Sequence, residues 1–102
     1  MKVSKSFEVF AKEAPEVQAA WMETVHKLDT ASKLDKKTEE LAYIAVLVAT
    51  RLESGLPFHV KMAKSNGATR DEIISAILVG LPAVGNTVIS ALPVAIDAFD
   101  EE

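Results

Sequence analysis

One side chain in this sequence is suited to moving a proton near neutral pH, His59, and a carboxylate, Glu40, stands at the head of the apolar helix before it. An unperturbed imidazole titrates close to neutral pH and can act as general acid or base. A carboxylate can orient it or transfer a second proton. The two residues lie in one stretch, ELAYIAVLVATRLESGLPFHVKMAKSNG, from Glu40 to Gly67. Between them, Ser54-Gly55-Leu56-Pro57 is a sharp break. A helix starting there would present free amides at Gly55 to Pro57, and helix starts hold anions, although proline removes one donor. Arg51 would add positive charge. Ser54 has no neighbouring base to activate its hydroxyl as a nucleophile. The candidate set read from the residues is His59 as the catalytic group, with Arg51, Ser54 and Gly55 on the substrate side. Each catalytic candidate also has a plainer role. A histidine early in a helix can bond a carbonyl and pack, and Glu40 can simply favour the helix dipole.

The elements that must position these groups read as helices throughout, and no stretch alternates with a period of two for long enough to form a sheet. Ser4 to Ala14 forms a short helix with Phe7, Phe10 and Ala11 on one face, capped by Ser4 or Ser6. Pro15 to about Leu28 forms a second, with Val17, Trp21, Val25 and Leu28 as its stripe. Trp21 on such a stripe reads as core rather than as a stacking platform for a ligand. His26 lies off the stripe, beside Lys27, and reads as a surface residue. Asp35 caps a third helix, and LAYIAVLVAT within it carries no charge on any side, so it should be buried all round. Gly55 can supply the left-handed end of that helix, and Pro57 the first turn of the fourth, which Asn66-Gly67 stops. Thr69-Arg70-Asp71-Glu72 has the pattern of a capping box for a fifth helix. That helix weakens near Gly80 and Pro82. A last one covers about Asn86 to Phe99, bent at Pro93.

A chain of 102 residues is one domain of modest buried fraction. Its formal charge of −4 includes no basic stripe, so nucleic acid is not an expected partner. There is no cysteine, which removes disulfides, thiolate nucleophiles and cysteine metal sites. No histidine pair or acidic cluster has metal-ligand spacing, and no glycine-rich phosphate loop follows a strand. Neither metal nor cofactor is expected. Ile73 to Ile96 is uncharged and long enough for a membrane span, but Gly80, Pro82, Gly85, Asn86 and Pro93 interrupt it, so it reads as buried helices. The opening MKVSKSFEVF lacks the apolar core of a signal peptide, and the expected location is the cytoplasm. Two nearly uncharged helical segments in so short a chain imply burial against copies of itself.

LDKKTEELAYIAV followed by GLPFHVKMAKSNGATRDEI resembles the carboxymuconolactone decarboxylase and alkylhydroperoxidase D family. The likeness runs from about Phe7 to the C-terminus and is densest over Leu34 to Gly80. It implies an all-α, AhpD-like bundle of about six helices around a buried helix hairpin, assembled as a trimer or hexamer. The redox branch of that family shows a Glu, eleven residues, then Cys-x-x-Cys-x-x-x-His. On this chain the Glu falls on Glu40 and the His on His59, so the resemblance implies Glu40 as the second catalytic group, while Leu52 and Gly55 take the cysteine places. Neither can attack a peroxide, so thiol-based reduction by this chain alone is excluded. The lactone-decarboxylase branch works without that pair, and His59, Ala63 and Asn66-Gly67 match its arrangement.

Three functions are compatible with the resemblance. The first is a cofactor-free acid–base lyase or isomerase acting on a small carboxylated lactone or related acid. The second is a non-catalytic oligomer that binds a ligand or protein partner. The third is an auxiliary role in alkylhydroperoxidase-type peroxide defence, with a partner supplying the thiols. Geometry adds one expectation. If a single helix ran from Glu40 to Leu52, a straight antiparallel return would leave Glu40 and His59 roughly two helical turns apart. They would meet only through bent helices or across a subunit boundary.

Overall fold

The structure is a computed structural model describing residues 3–101. Among these residues the fold is all-helical, with no strand. Helices α1 (Lys5–Glu13), α2 (Pro15–Ala31) and α3 (Lys36–Ala49) are followed by a 3-10 turn, Glu53–Gly55. Then come α4 (Leu56–Ser65), α5 (Arg70–Leu78), α6 (Leu81–Val84), a 3-10 segment (Gly85–Ala91) and α7 (Leu92–Asp100).

Local chemistry sets most of these boundaries. The Ser4 hydroxyl accepts from the Phe7 amide at 3.2 Å to start α1, and the Asp35 carboxylate accepts from the Thr38 amide at 2.9 Å to start α3. The capping box at α5 is complete: the Thr69 amide donates to Glu72 Oε1 at 2.9 Å, and the Glu72 amide donates to Thr69 Oγ1 at 3.1 Å. All four prolines stand in the first turn of a helix, α2, α4, α6 and α7. There the missing N–H costs nothing and the fixed φ suits the helix. Pro93 therefore opens α7 at Leu92, and does not bend a helix running from Asn86 as the sequence suggested. Gly85, at φ 69°, is what separates α6 from the segment after it.

The core lies between α3, α4, α5 and α7. Ile44 and Val48 of α3, Leu56 and Val60 of α4, and Ile73 and Ile77 of α5 are almost wholly inaccessible. Burying each such side chain contributes about 1.5–3 kcal/mol. α4 and α7 pack on each other, and their buried residues include Ala63, Ala95 and Ala98, small side chains of the kind that permits close packing of helices. The Arg70–Asp100 stretch is apolar enough to cross a membrane by length and composition. It is folded, however, as successive short helices whose Ile73, Ile77, Val88, Ala91, Ala95 and Ala98 pack into this core.

Within one chain two apolar helices are covered only in part. α3 is buried on one face only, through Ile44, Leu47 and Val48, while Tyr43 and Val46 remain exposed. α2 has no buried residue, and Trp21 is 54% exposed. The cause is shared: α2 packs chiefly on α1, and among the described residues its apolar stripe and the outer face of α3 stay exposed. His26 is exposed, as its position off the stripe suggested.

Candidate active site

The connector between α3 and α4 decides the geometry. α3 stops at Ala49, three residues before Leu52. Arg51 takes a left-handed conformation, φ 63°, the role expected of Gly55, which instead has an ordinary φ of −88°. The Arg51 amide donates to the Val48 carbonyl at 3.2 Å and the Leu52 amide to the Leu47 carbonyl at 2.8 Å. This paired pattern is a Schellman ending, and it has reversed the chain by Leu52. The 3-10 turn then descends beside α3: a Cβ placed on Gly55 would lie 3.9 Å from Leu47 Cδ1. His59, four residues on, is about 6 Å further along α4. That brings it level with Tyr43, one turn before Leu47.

Glu40 and His59 therefore meet within one chain. His59 Nδ1–H donates to Glu40 Oε2 at 2.8 Å, with the two side chains 25% and 16% exposed. The two-turn gap expected from the sequence does not exist, because it assumed that α3 continued to Leu52. No bent helix or second subunit is required for the contact. With Nδ1 held by a carboxylate, the tautomer is set and Nε2 is left to exchange a proton with a bound molecule. Among the described residues Nε2 has no hydrogen-bond partner.

Two aromatic rings frame the imidazole. Tyr43 lies 4.6 Å away between ring centroids, tilted by 58°, and Phe58 lies 5.2 Å away, edge-on at 77°. Sequence reasoning passed over both. Tyr43 was discoverable, since it stands three residues after Glu40 and so shares its face of α3. On the open edge is Gly55: a Cβ there would sit 3.9 Å from His59 Cδ2. Its hydrogen leaves room beside the ring.

The other candidates are placed differently. Arg51 is exposed, and its Nη2 donates to Thr87 Oγ1 at 3.3 Å. Glu53 accepts from Ser90 Oγ at 3.3 Å, so two long hydrogen bonds tie the connector to the Gly85–Ala91 segment. Ser54 lines a shallow hollow of about 290 Å³ with Ser4, Pro57, Phe58, Lys61 and Glu101, on a part of the surface that does not include Glu40. The anion cradle expected at Gly55 to Pro57 is largely spent. The Leu56 amide donates to the Glu53 carbonyl, and Pro57 has no N–H. Among the described residues no group of three or more His, Asp or Glu side chains is arranged to hold a metal ion.

The described residues form an all-helical domain that presents a carboxylate-held histidine on a helical hairpin. The chain belongs to the carboxymuconolactone decarboxylase family, whose model matches residues 15–97. In structure it is similar to the apo form of lpg0406, a carboxymuconolactone decarboxylase family protein from Legionella pneumophila. The two share 26% identity with a TM-score of 0.78, over 93% of this chain and 85% of that one. No curated protein is significantly similar in sequence.

Proposed function

We propose that this protein is a cofactor-free acid–base lyase or isomerase acting on a small carboxylated lactone or a related acid. The observation that carries the reading is the 2.8 Å contact between His59 Nδ1 and Glu40 Oε2. A carboxylate in that position fixes the tautomer and stabilises the imidazolium formed when Nε2 takes a proton. If the substrate loses its carboxylate as CO₂, Nε2 first takes a proton from solvent, and the imidazolium so formed returns it to the electron pair left on carbon. If it is only isomerised, Nε2 removes a proton beside the carbonyl and returns it elsewhere. Gly55 supplies space at the ring edge. Arg51, on the same connector, is assigned to the substrate's own carboxylate, a role that Ser54 does not share because it lines a different part of the surface. Tyr43 and Phe58 restrict the ring and give the substrate an apolar flank. The cytoplasm is the compartment we assign.

The test is turnover of a panel of unsaturated carboxylated lactones, followed by product formation and CO₂ release. His59→Ala should lower kcat/KM by about 10²–10⁴-fold, the usual contribution of a positioned acid–base group. A His59→Ala protein as active as the parent would remove the assignment.

A second reading has one observation in its favour. Two surface hollows, of about 360 and 290 Å³, are lined by neither His59 nor Glu40. A non-catalytic member that binds a ligand or partner would show saturable binding without conversion. The same panel, followed by calorimetry as well as turnover, separates the two.

A further inference from the structure

The hollow beside Ser54 is a place that the His59 chemistry leaves unused. Its volume of about 290 Å³ lies at the lower end for small-molecule sites and suits an occupant of a few carbons. Val3, Pro57 and Phe58 give it an apolar wall, and Ser4 and Ser54 bring hydroxyls to it. Its two charged lining residues are Lys61 and Glu101.

The electrostatics of the hollow favour an anion. The Lys61 side chain is only 26% exposed, so its ammonium is held in the wall and partly shielded from water. Ser4 is the N-cap of α1 and Pro57 stands in the first turn of α4, so the positive ends of two helices add to that charge. The Ser4 hydroxyl accepts from the Phe7 amide at 3.2 Å, which leaves its own proton to donate. One carboxylate is already taken up here, because Lys61 Nζ donates to Glu101 Oε1. That carboxylate is loosely held in place. Glu101 lies just beyond the end of α7 in extended conformation, and its side chain is 65% exposed. It can swing into water without unwinding the helix, and an ion pair so open to solvent is weak.

We infer that this hollow is a binding site for a small organic monocarboxylate with a short apolar body, whose carboxylate replaces that of Glu101 on the Lys61 ammonium. The apolar body lies against Pro57 and Phe58, and the serine hydroxyls serve the second carboxylate oxygen. Glu101 is then a tethered competitor, which lowers the apparent affinity for the free acid. Phe58 also meets the His59 ring edge-on at 5.2 Å, so the occupant is a neighbour of the imidazole, separated from it by one aromatic ring. The inference does not depend on His59 being catalytic.

Butyrate and benzoate are titrated into the intact protein in a carboxylate-free buffer, followed by calorimetry and by backbone amide shifts, with butanol and inorganic phosphate as controls. Both carboxylates should bind saturably and move the Ser54 and Lys61 amides, while butanol does not bind and phosphate binds more weakly. Glu101→Gln removes the competitor and should tighten butyrate binding about two- to fivefold. Lys61→Met should weaken it by at least about tenfold, with unchanged helical circular dichroism. If that variant loses helicity, Glu101→Gln decides alone. His59→Ala should bind butyrate as the parent does. The inference is overturned if neither carboxylate binds saturably, if Glu101→Gln leaves the affinity unchanged or lowers it, or if a folded Lys61→Met binds as tightly as the parent. Phosphate binding as tight as butyrate would mean an unselective patch of positive charge, and loss of binding in His59→Ala would place the acid at the imidazole; either result also overturns it.

Discussion

An L-residue in the left-handed region costs about 1–2 kcal/mol, and Arg51 carries that cost at φ 63° to close α3. Its compensation is a 3.3 Å hydrogen bond to Thr87, exposed and so worth little. Arg51→Gly should therefore raise stability by about 1 kcal/mol, visible as a higher midpoint in denaturant. If Arg51 also meets the substrate carboxylate, the same variant should raise KM while leaving kcat nearly unchanged. Lower stability would mean that the Thr87 bond outweighs the backbone term. The role of this residue was not legible beforehand, because a left-handed helix end is signalled by glycine and the nearest glycine lies four positions later. That single misplacement produced the expected gap between Glu40 and His59. The identities of the pair were legible from their types and from the family pattern. Their contact was not, since it depends on where α3 stops and not on how far apart the residues stand in the chain.

At the scale of elements, helix starts were written plainly into the sequence. Asp35, the Thr69–Glu72 box and the four prolines each satisfy or excuse an unpaired amide at a first turn, and a local pattern suffices to read them. Helix ends and faces were harder. The stripe on α2 has the same spacing whether its cover comes from this chain or another, so periodicity alone assigned Trp21 to a core that does not enclose it. The C-terminal turn of α7 shows a further device that no local pattern announces. Arg70 Nε donates to Asp100 Oδ1 at 3.0 Å, Lys61 pairs with Glu101, and Lys64 donates to the Phe99 carbonyl at 2.6 Å while lying over the Phe99 ring. The guanidinium of Arg70 holds the Asp100 carboxyl below its ordinary value, and the Lys61 ammonium does the same for Glu101. Groups whose folded pKa is depressed add stability that is complete above the unfolded pKa and is lost as pH falls through the folded one. The last turn of α7 should therefore loosen as pH drops below about 4. Amide exchange at Ala98 to Glu101 should accelerate there, and Asp100→Asn should show a shallower acid dependence. The effect will be small, because both pairs face water. An acid dependence identical in Asp100→Asn and the parent would show that the clamp does not couple to α7.

Taken whole, the molecule divides its labour between what one chain completes and what it leaves open. The packed unit of α3, α4, α5 and α7 is closed and builds the Glu40–His59 contact unaided. The outer face of α3, with Tyr43 46% exposed, and the apolar stripe of α2 are left without cover. This division explains how a chain with so much apolar surface can still hold a defined imidazole. The most direct measurement of the central claim is the tautomer of His59, read from long-range proton–nitrogen correlation of its imidazole, in the parent and in Glu40→Ala. With only two histidines in the chain, His59→Ala assigns the signals. The account predicts that neutral His59 is the Nδ1–H tautomer, with Nε2 unprotonated, that this holds on dilution, and that Glu40→Ala abolishes the preference. A neutral ring protonated on Nε2, or an Nδ1–H preference indifferent to Glu40, would contradict it.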